Sequence, residues 1–155
     1  MYIETERKFL VRKDLWYAVK KNPGQYLRQA YLYSGKDKTI RLRQIGDQYI
    51  MTVKGPATGI SRQEIEFSVP SEQAVELLML SGNAVEKIRY KLEYDGKIWD
   101  VDEFLGDNEG LILAEIEMAY ETEKISFPPW LGSEVTGDQK YFNSYLAEHP
   151  FRNWK

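Results

Sequence analysis

Charged side chains of one sign repeat at every second position in several segments of this chain. Glu4 and Glu6 lie two residues apart, and Lys8 follows at the same spacing. The further pairs are Arg41 and Arg43, Glu64 and Glu66, Lys87 and Arg89, Asp100 and Asp102, and Glu115 and Glu117. Because side chains two apart in a β-strand share a face, each pair predicts a strand with one charged face.

The segregation of the two signs predicts a binding site. Like charges on one strand face repel each other unless an opposite charge or an ion lies between them. A solvated protein surface usually intersperses both signs instead. The charged faces are therefore predicted to converge on a highly charged ligand, although any single pair on its own is more typical of a solvated outer face.

Composition limits the classes of function. With 155 residues, of which 43% are apolar and 29% charged, the chain is predicted to form one domain, residues 1–155, with a core of its own. The net charge of −3 provides no general attraction to nucleic acid or anionic membranes, so neither partner is expected. The absence of cysteine and the single histidine, His149, leave oxygen atoms as the expected ligands of any metal ion. No apolar run has the length of a membrane span and the N-terminus lacks the features of a signal peptide, which favours a cytoplasmic location.

Alternation and turn residues predict a meander of short strands with a few helices. The predicted strands cover residues 2–11, 27–33, 38–45, 48–54, 60–69, 84–94, 97–104 and 111–120. The predicted helices cover residues 14–21, 72–80 and about 138–147, with Ser71 as the N-cap of the second helix.

Eight antiparallel strands are enough to close a barrel that holds one small ligand. The predicted fold class is α+β, mostly β: an eight-stranded antiparallel closed barrel with a polar, charged lumen and a few outer helices. In this arrangement the apolar strand residues point outward beneath the helices. The alternative is a conventional β-sandwich with an apolar interior.

The ordered charged motifs resemble those of the CYTH superfamily, the triphosphate tunnel metalloenzymes. The family signature, Glu-x-Glu-x-Lys on the first strand, is present as Glu4, Glu6 and Lys8. The Arg-x-Arg strand, the lone Lys54, the acidic pair, the Lys-x-Arg strand, the acid before Phe104 and the late Glu-x-Glu follow in the family's order. The chain is most similar to the short bacterial inorganic triphosphatase type, and the resemblance extends from about residue 2 to residue 147, where the last helix matches the family's closing helix.

The resemblance implies a tunnel that binds a triphosphate together with Mg²⁺ or Mn²⁺. The implied substrate contacts are Lys8, Arg41, Arg43, Lys54, Lys87, Arg89 and Lys140. The implied metal ligands are Glu4, Glu6, Glu64, Glu66, Asp102, Glu115 and Glu117. Lys8 and Tyr31 match positions with catalytic roles in similar family members, whereas Arg62 and Asp100 remain without an assigned role.

The function favoured at this point is metal-assisted hydrolysis of inorganic tripolyphosphate to pyrophosphate and phosphate. Within the family, the alternatives are a nucleoside, thiamine or RNA triphosphatase and a class IV adenylate cyclase. A noncatalytic polyphosphate- or nucleotide-binding module is an alternative of another class. The expected partner is a small-molecule triphosphate, and the chain is expected to be a monomer or a homodimer.

Overall fold

A computed structural model describes residues 1–154 of the chain. Within those residues the strands are β1 (Ile3–Val11), β2 (Gln25–Ser34), β3 (Thr39–Ile45), β4 (Gln48–Lys54), β5 (Ser61–Val69), β6 (Ala84–Tyr94), β7 (Lys97–Phe104), β8 (Ile112–Glu117) and β9 (Leu131–Glu134). The α-helices are α1 (Lys13–Tyr17), α2 (Ser71–Leu80) and α3 (Asn143–Glu148), and short 3₁₀ turns cover Gly106–Asn108, Gln139–Tyr141 and Phe151–Asn153.

The first eight strands form a closed antiparallel barrel. Their order around the barrel is β5-β4-β3-β2-β6-β7-β8-β1, and the barrel closes where Ile3–Thr5 of β1 pair with Ser61–Gln63 of β5. Farther along β1, the short strand β9 pairs beside Phe9 and Val11. The predicted eight-stranded barrel is confirmed. The sequence did not predict β9, because a four-residue strand that contains a glycine has too little alternation to be recognised.

Tight turns set the register of the meander. Asp95 and Gly96 join β6 to β7 with φ values of 49° and 81°, the left-handed conformation that a two-residue hairpin turn requires at both positions. Lys97 then pairs with Tyr94, and the register holds to the pair of Phe104 with Lys87. Because register decides which residues share a face, this turn places the charged alternate residues of β6 and β7 on one side of the sheet.

The hydrophobic core forms three clusters, two on the outside of the barrel and one on the inner face at one end of it. The aromatic cluster joins β1, β7 and β8 to α1 and contains Phe9, Trp16, Trp99, Val101, Ile112, Ala114, Ile116, Met118 and Trp130. A second cluster, around Leu113 and Leu146, packs α3 over one end of the barrel, because Val85, Phe104 and Leu113 share their strand faces with Lys87, Asp102 and Glu115. A third, around Leu42, Met51 and Ala74, packs α2 against it. The apolar outer face and charged lumen are therefore as predicted, and the sandwich alternative is not observed.

The helices differ in detail from the sequence-based prediction. The first ends at Tyr17 rather than near residue 21, and Ser71 is the first residue of α2, with no side-chain cap bond at that terminus. The predicted C-terminal helix is split, because Phe142 adopts an extended conformation between a 3₁₀ turn and α3. The prediction that helices cover every apolar outer face is wrong at β5, where Ile65 and Phe67 are 49% and 52% exposed.

Candidate functional site

The barrel encloses a cavity of about 1050 Å³ lined mostly by charged and polar side chains. The predicted site residues that line it are Glu4, Glu6, Lys8, Tyr31, Arg41, Arg43, Lys54, Glu64, Glu66, Lys87, Arg89, Glu115 and Glu117. Arg62 and Asp100, which the sequence left without a role, line it as well. The register of eight strands thus brings together residues separated by more than a hundred positions in the chain.

One wall of the cavity carries a buried cluster of two bases and one acid, hereafter the Asp102 cluster. Lys87 Nζ lies 2.8 Å from Asp102 Oδ2, and Arg89 donates two bonds to the same carboxylate, Nε to Oδ1 at 2.7 Å and Nη2 to Oδ2 at 2.8 Å. The side chains of Lys87 and Asp102 are 1% and 0% exposed. Such a bidentate contact fixes the guanidinium in place, so the cluster holds both bases in a defined position.

Ionisation in this cluster is strongly perturbed. Burial opposes the charged form of Asp102, but Arg89 and Lys87 hold the pKa of this carboxyl well below its usual range. Burial, reinforced by the charges of Arg89 and Arg43, lowers the pKa of Lys87 to about 7 despite Asp102. Asp102 does not reach the cavity surface and both its oxygens are occupied, so the structure does not place it as a metal ligand. Its position predicts that it orients Lys87 and Arg89.

The opposite wall carries a cluster with the reverse composition, one base and two acids, hereafter the Lys54 cluster. Lys54 Nζ lies 2.9 Å from Glu4 Oε1 and 3.6 Å from Glu64 Oε2. Burial together with the neighbouring Glu4 raises the pKa of Glu64 to about 7, although Lys54 acts in the opposite direction. Burial also opposes ionisation of Glu4, yet Lys54 lowers the pKa of that carboxyl. One ammonium therefore does not fully compensate two carboxylates.

Arg41 and Glu66 are linked through a threonine. Arg41 Nη2 donates to Thr52 Oγ1 at 3.0 Å, and Thr52 Oγ1 donates to Glu66 Oε2 at 2.8 Å. The direct distance from Arg41 Nη2 to Glu66 Oε2 is 3.7 Å. Thr52 is 1% exposed, so it acts as a fixed bridge between the two charged groups.

Several cations on the cavity wall form no ion pair within the part of the chain that the structure describes, among them Arg43, Lys8 and Arg62. Arg43 Nε donates to Gln29 Oε1 at 3.1 Å, Lys8 Nζ donates to the Tyr141 carbonyl at 3.0 Å, and the guanidinium of Arg62 lies 5.9 Å from the Phe142 ring centroid. Burial and the neighbouring arginines lower the pKa of Arg43 to about 10, where it stays charged at neutral pH. These groups are available to an anionic ligand.

Acidic side chains gather where cation partners are few. Glu6 pairs with Glu117 across β1 and β8, and burial together with Glu115 and Glu4 raises the pKa of Glu6 to about 8. Glu115 contrasts with Glu6, since Lys8 and Arg89 overcome its burial and lower its pKa to about 2. Glu117 accepts a hydrogen bond from the Tyr2 hydroxyl. Repulsion among these carboxylates favours either protonation or a bound cation.

The donor set fits a hard divalent cation. Carboxylate oxygens suit Mg²⁺ and Mn²⁺, and the raised pKa of Glu6 indicates uncompensated negative charge where such an ion would bind. No group of three His, Asp or Glu side chains among residues 1–154 is arranged to hold an ion by itself. Since Mg²⁺ usually keeps several waters and takes phosphate oxygens as ligands, one or two carboxylates from this group are sufficient.

Tyr31 lies at the cavity wall with a fixed hydroxyl. Gln29 Nε2 donates to Tyr31 Oη at 3.0 Å and to Asn143 Oδ1 at 2.9 Å. Asn143 Oδ1 also accepts from Lys87 Nζ at 2.9 Å. Since its oxygen accepts the bond from Gln29, the Tyr31 hydroxyl keeps its own proton free to donate.

Sequence reasoning missed Gln29, Thr52 and Asn143. Gln29 and Thr52 were accessible in principle, because each stands two residues before a predicted cavity residue on the same strand, Tyr31 and Lys54. Asn143 is different. Its side chain reaches Lys87 only because α3 packs against the barrel, and no spacing in the sequence predicts that contact.

Lys140, predicted as a substrate contact, is not brought to the cavity. Its ammonium lies 4.8 Å from the Trp154 ring centroid, and its backbone N–H donates to Asp138 Oδ1 at 3.1 Å. The Asp138 bond caps the 3₁₀ turn that replaces the start of the predicted helix. This turn directs Lys140 outward and gives Tyr141 and Phe142 the contacts with Lys8 and Arg62.

A closed antiparallel barrel with a charged interior defines the structural class of this protein. The chain belongs to the CYTH domain family, whose model matches residues 2–143. A relative from Acetivibrio thermocellus, named inorganic triphosphatase, is 45% identical over 154 residues, which cover 98% of this chain and 97% of the relative. Another, from Nitrosomonas europaea and also named inorganic triphosphatase, is 41% identical over 150 residues, 93% of this chain and 96% of the relative.

A solved structure supports the same family assignment as these relatives. The crystal structure of an inorganic triphosphatase superposes with a TM-score of 0.65 at 36% identity and covers 93% of this chain and 97% of that one. As in the CYTH triphosphatases, activity is expected to depend on a metal ion. None of the helices within residues 1–154 is long and apolar enough to cross a membrane.

Proposed function

We propose that this protein hydrolyses inorganic triphosphate to pyrophosphate and phosphate inside the barrel, with Mg²⁺ or Mn²⁺. The observation that carries the proposal is the division of the cavity, in which unpaired cations and undercompensated carboxylates share one enclosed space. A site for an anion alone would need only the cations, and a site for a metal ion alone would need only the acids. A metal-bound polyphosphate needs both. The two relatives named inorganic triphosphatase support the same substrate.

The cations hold the phosphate chain. Arg43 and Arg62 offer planar guanidinium groups that match phosphate oxygens, whereas Lys8 offers a point charge. Arg89 and Lys87 are held in position by Asp102, and Arg41 and Lys54 complete the proposed set. Arg62 is thus added to the substrate contacts, and Lys140 is removed from them.

Glu6, Glu115 and Glu117 are the proposed metal ligands, with Glu4, Glu64 and Glu66 as further candidates. When bound, the ion neutralises phosphate charge and polarises a phosphoryl oxygen. The protein supplies carboxylates on adjacent strands β1 and β8, whose pairing fixes their separation. Glu6 and Glu115 are half-buried, which strengthens their attraction for a cation, whereas Glu117 is exposed at the end of β8.

Lys8, Tyr31 and Lys87 are the proposed catalytic residues. Water attacks the terminal phosphorus, the bond to the bridging oxygen breaks, and pyrophosphate leaves. Lys87, with a pKa lowered to about 7 by burial, has a neutral fraction near neutral pH that accepts the proton of the water at Nζ. Lys8 keeps N–H bonds beyond the one to Tyr141, and Tyr31 keeps its hydroxyl proton. Both are positioned to stabilise negative charge on the departing pyrophosphate.

Product analysis tests the proposal. Purified protein is incubated with tripolyphosphate, or in parallel with ATP, at several concentrations of Mg²⁺ or Mn²⁺. We expect equal amounts of phosphate and pyrophosphate from tripolyphosphate, and none after chelation of the metal. Cyclic AMP from ATP would make the protein a cyclase, and tight tripolyphosphate binding without turnover would make it a binding module. The matched control is Lys13→Ala, a lysine outside the cavity lining.

A further inference from the structure

Gln29 on β2 is a buried amide whose two ends are both engaged. Its side chain is 1% exposed, and its oxygen accepts a hydrogen bond from Arg43 Nε at 3.1 Å. Its nitrogen donates to Tyr31 Oη at 3.0 Å and to Asn143 Oδ1 at 2.9 Å. Because an amide nitrogen carries two hydrogens, these bonds use both donors. Turning the amide over would leave buried groups without partners, so the structure holds it in one orientation.

Arg43 sets the direction of every hydrogen bond in this network. A guanidinium only donates, so the atom of Gln29 that faces Arg43 is the carbonyl oxygen. The amide nitrogen of Gln29 therefore faces Tyr31 and Asn143, and it only donates to them. Both partners accept, Tyr31 through its hydroxyl oxygen and Asn143 through Oδ1. The hydroxyl proton of Tyr31 is thus directed away from Gln29.

The same network reaches Lys87 on β6, the strand that pairs with β2. Lys87 Nζ lies 2.9 Å from Asn143 Oδ1 and 2.8 Å from Asp102 Oδ2. Both of these oxygens accept, and each takes one hydrogen of Lys87. A neutral amine has two hydrogens and one electron pair, so the electron pair faces away from both oxygens. The side of the amine that remains is the cavity, which Lys87 lines.

We propose that Gln29 and Asn143 are positioning residues for the reaction, which direct the hydroxyl proton of Tyr31 and the electron pair of Lys87 toward the substrate. The inference rests on the proposed function, in which Tyr31 stabilises the departing pyrophosphate and Lys87 accepts a proton from water. With both amides in place, these two groups have the required orientation before the substrate arrives. Asn143 is the first residue of α3, so packing of that helix against the barrel completes the arrangement.

Asn143→Leu tests the branch to Lys87. Leucine is close to asparagine in size and uncharged, but it offers no acceptor to Lys87. We expect kcat for tripolyphosphate to fall about tenfold or more, with KM changed by less than about twofold because the phosphate-binding cations remain. The control is Asn22→Leu, the same change at an exposed position outside the cavity lining, which should alter neither constant.

A double-mutant cycle separates positioning from a general structural effect. Lys87→Met removes the amine and leaves Asp102 paired with Arg89; its residual rate is measured at high enzyme concentration. If Asn143 acts through Lys87, Asn143→Leu has little further effect on kcat in that variant. A structural defect would instead lower kcat again by the same factor.

Gln29→Glu tests the branch to Tyr31. The carboxylate keeps an acceptor for Arg43 but has no donor, so the Tyr31 hydroxyl donates to it and its proton turns away from the substrate. We expect kcat to fall, and to fall by a clearly smaller factor in Tyr31→Phe, which has no hydroxyl to turn. Gln63→Glu makes the same change of charge at an exposed position of β5 and should have no effect on kcat.

Circular dichroism melting establishes that each variant is folded, and Asn143→Ala replaces Asn143→Leu if leucine does not fit. A parent protein that turns over no tripolyphosphate overturns the proposed function and this inference with it. An active parent whose kcat is unchanged in Asn143→Leu overturns the inference alone, as do equal factors in the single and double variants. A raised KM with unchanged kcat would do the same, since the amides would then serve binding only.

Discussion

The two ion-pair clusters of the cavity contain the same kinds of residues in opposite proportions. The Asp102 cluster has two bases for one acid, and the Lys54 cluster has two acids for one base. The first is the more deeply buried, since Lys87 and Asp102 are 1% and 0% exposed, whereas Lys54 and Glu4 are 18% and 14% exposed. The first is therefore the more rigidly paired, and its Arg89 also lies 3.5 Å from Asp100 Oδ2 and 3.9 Å from Glu115 Oε1, whereas the second is net negative and wetter.

This difference shows how one barrel accommodates phosphate and metal together. A carboxylate buried between two bases offsets their mutual repulsion and keeps them aimed at the lumen. A lysine between two carboxylates does the same for the acids, with one negative charge in excess. Each cluster thus offsets the repulsion between its own like charges, and the cavity cations without ion pairs and the excess acid of the Lys54 cluster remain for the ligand.

Asp102→Asn is the variant with the largest expected effect on the difference between the two clusters. Removing one partner of a fully buried ion pair leaves uncompensated charge, which costs about 3–5 kcal/mol. We expect a loss of this size in the free energy of unfolding, measured by urea denaturation. Glu64→Gln, in the Lys54 cluster, should change it by less than about 1 kcal/mol because that wall is wetter and already has excess acid. Equal losses in the two variants would mean that the clusters do not differ as described.

Glu6→Gln separates metal binding from stability on the acidic wall. We expect turnover of tripolyphosphate to fall about 100-fold or more, since a proposed metal ligand is lost. The metal-free variant should unfold at a temperature equal to or above that of the parent, because a repelled carboxylate is removed. Steady-state kinetics with a metal titration and thermal melting provide the two measurements. Full activity in this variant would exclude Glu6 from the metal site.

Arg62→Ala tests whether unpaired cations hold substrate. Arg62 forms no ion pair among the described residues, and its guanidinium lies 5.9 Å from the Phe142 ring centroid, so its loss should cost little stability. We expect KM for tripolyphosphate to rise about tenfold, the value of one charge-assisted hydrogen bond. Arg62→Lys should recover part of the loss by keeping the charge without the planar geometry. An unchanged KM would mean that Arg62 does not contact the substrate.

The acidic wall also predicts how stability depends on pH. Folding raises the pKa of Glu6 from 4.5 to about 8 and that of Glu64 from 4.5 to about 7. The folded state then binds more protons than the unfolded chain between these values, so stability falls as pH rises through that window. We expect the metal-free protein to melt at a lower temperature at pH 8 than at pH 5.5, with a smaller difference in Glu6→Gln. Added metal should restore the loss at pH 8; a flat profile would contradict the assignment.

The barrel and most of its lining followed from two-residue spacing, because a strand has only two faces and a charged pair identifies one of them. Spacing predicts neither how deeply a side chain is buried nor which side chains it contacts. Asp100 and Asp102 share a face, yet only Asp100 lines the cavity, since Asp102 is drawn into a buried contact with Lys87 and Arg89. The exposed outer face of β5 could not be predicted either, because its exposure depends on which strands α2 packs against.

Lys140 shows the same limit in the C-terminal segment. Its place near the end of the chain matches a basic position of the family, but the 3₁₀ turn capped by Asp138 directs its side chain to Trp154. We therefore expect Lys140→Ala to change kcat/KM for tripolyphosphate by less than about twofold, the range of a surface charge outside the site. Measured under the same conditions, Lys140→Ala and Arg62→Ala compare a substrate contact predicted from the sequence with one inferred from the structure. A loss as large as that of Arg62→Ala would show that the C-terminal segment reorganises to bring Lys140 onto bound substrate.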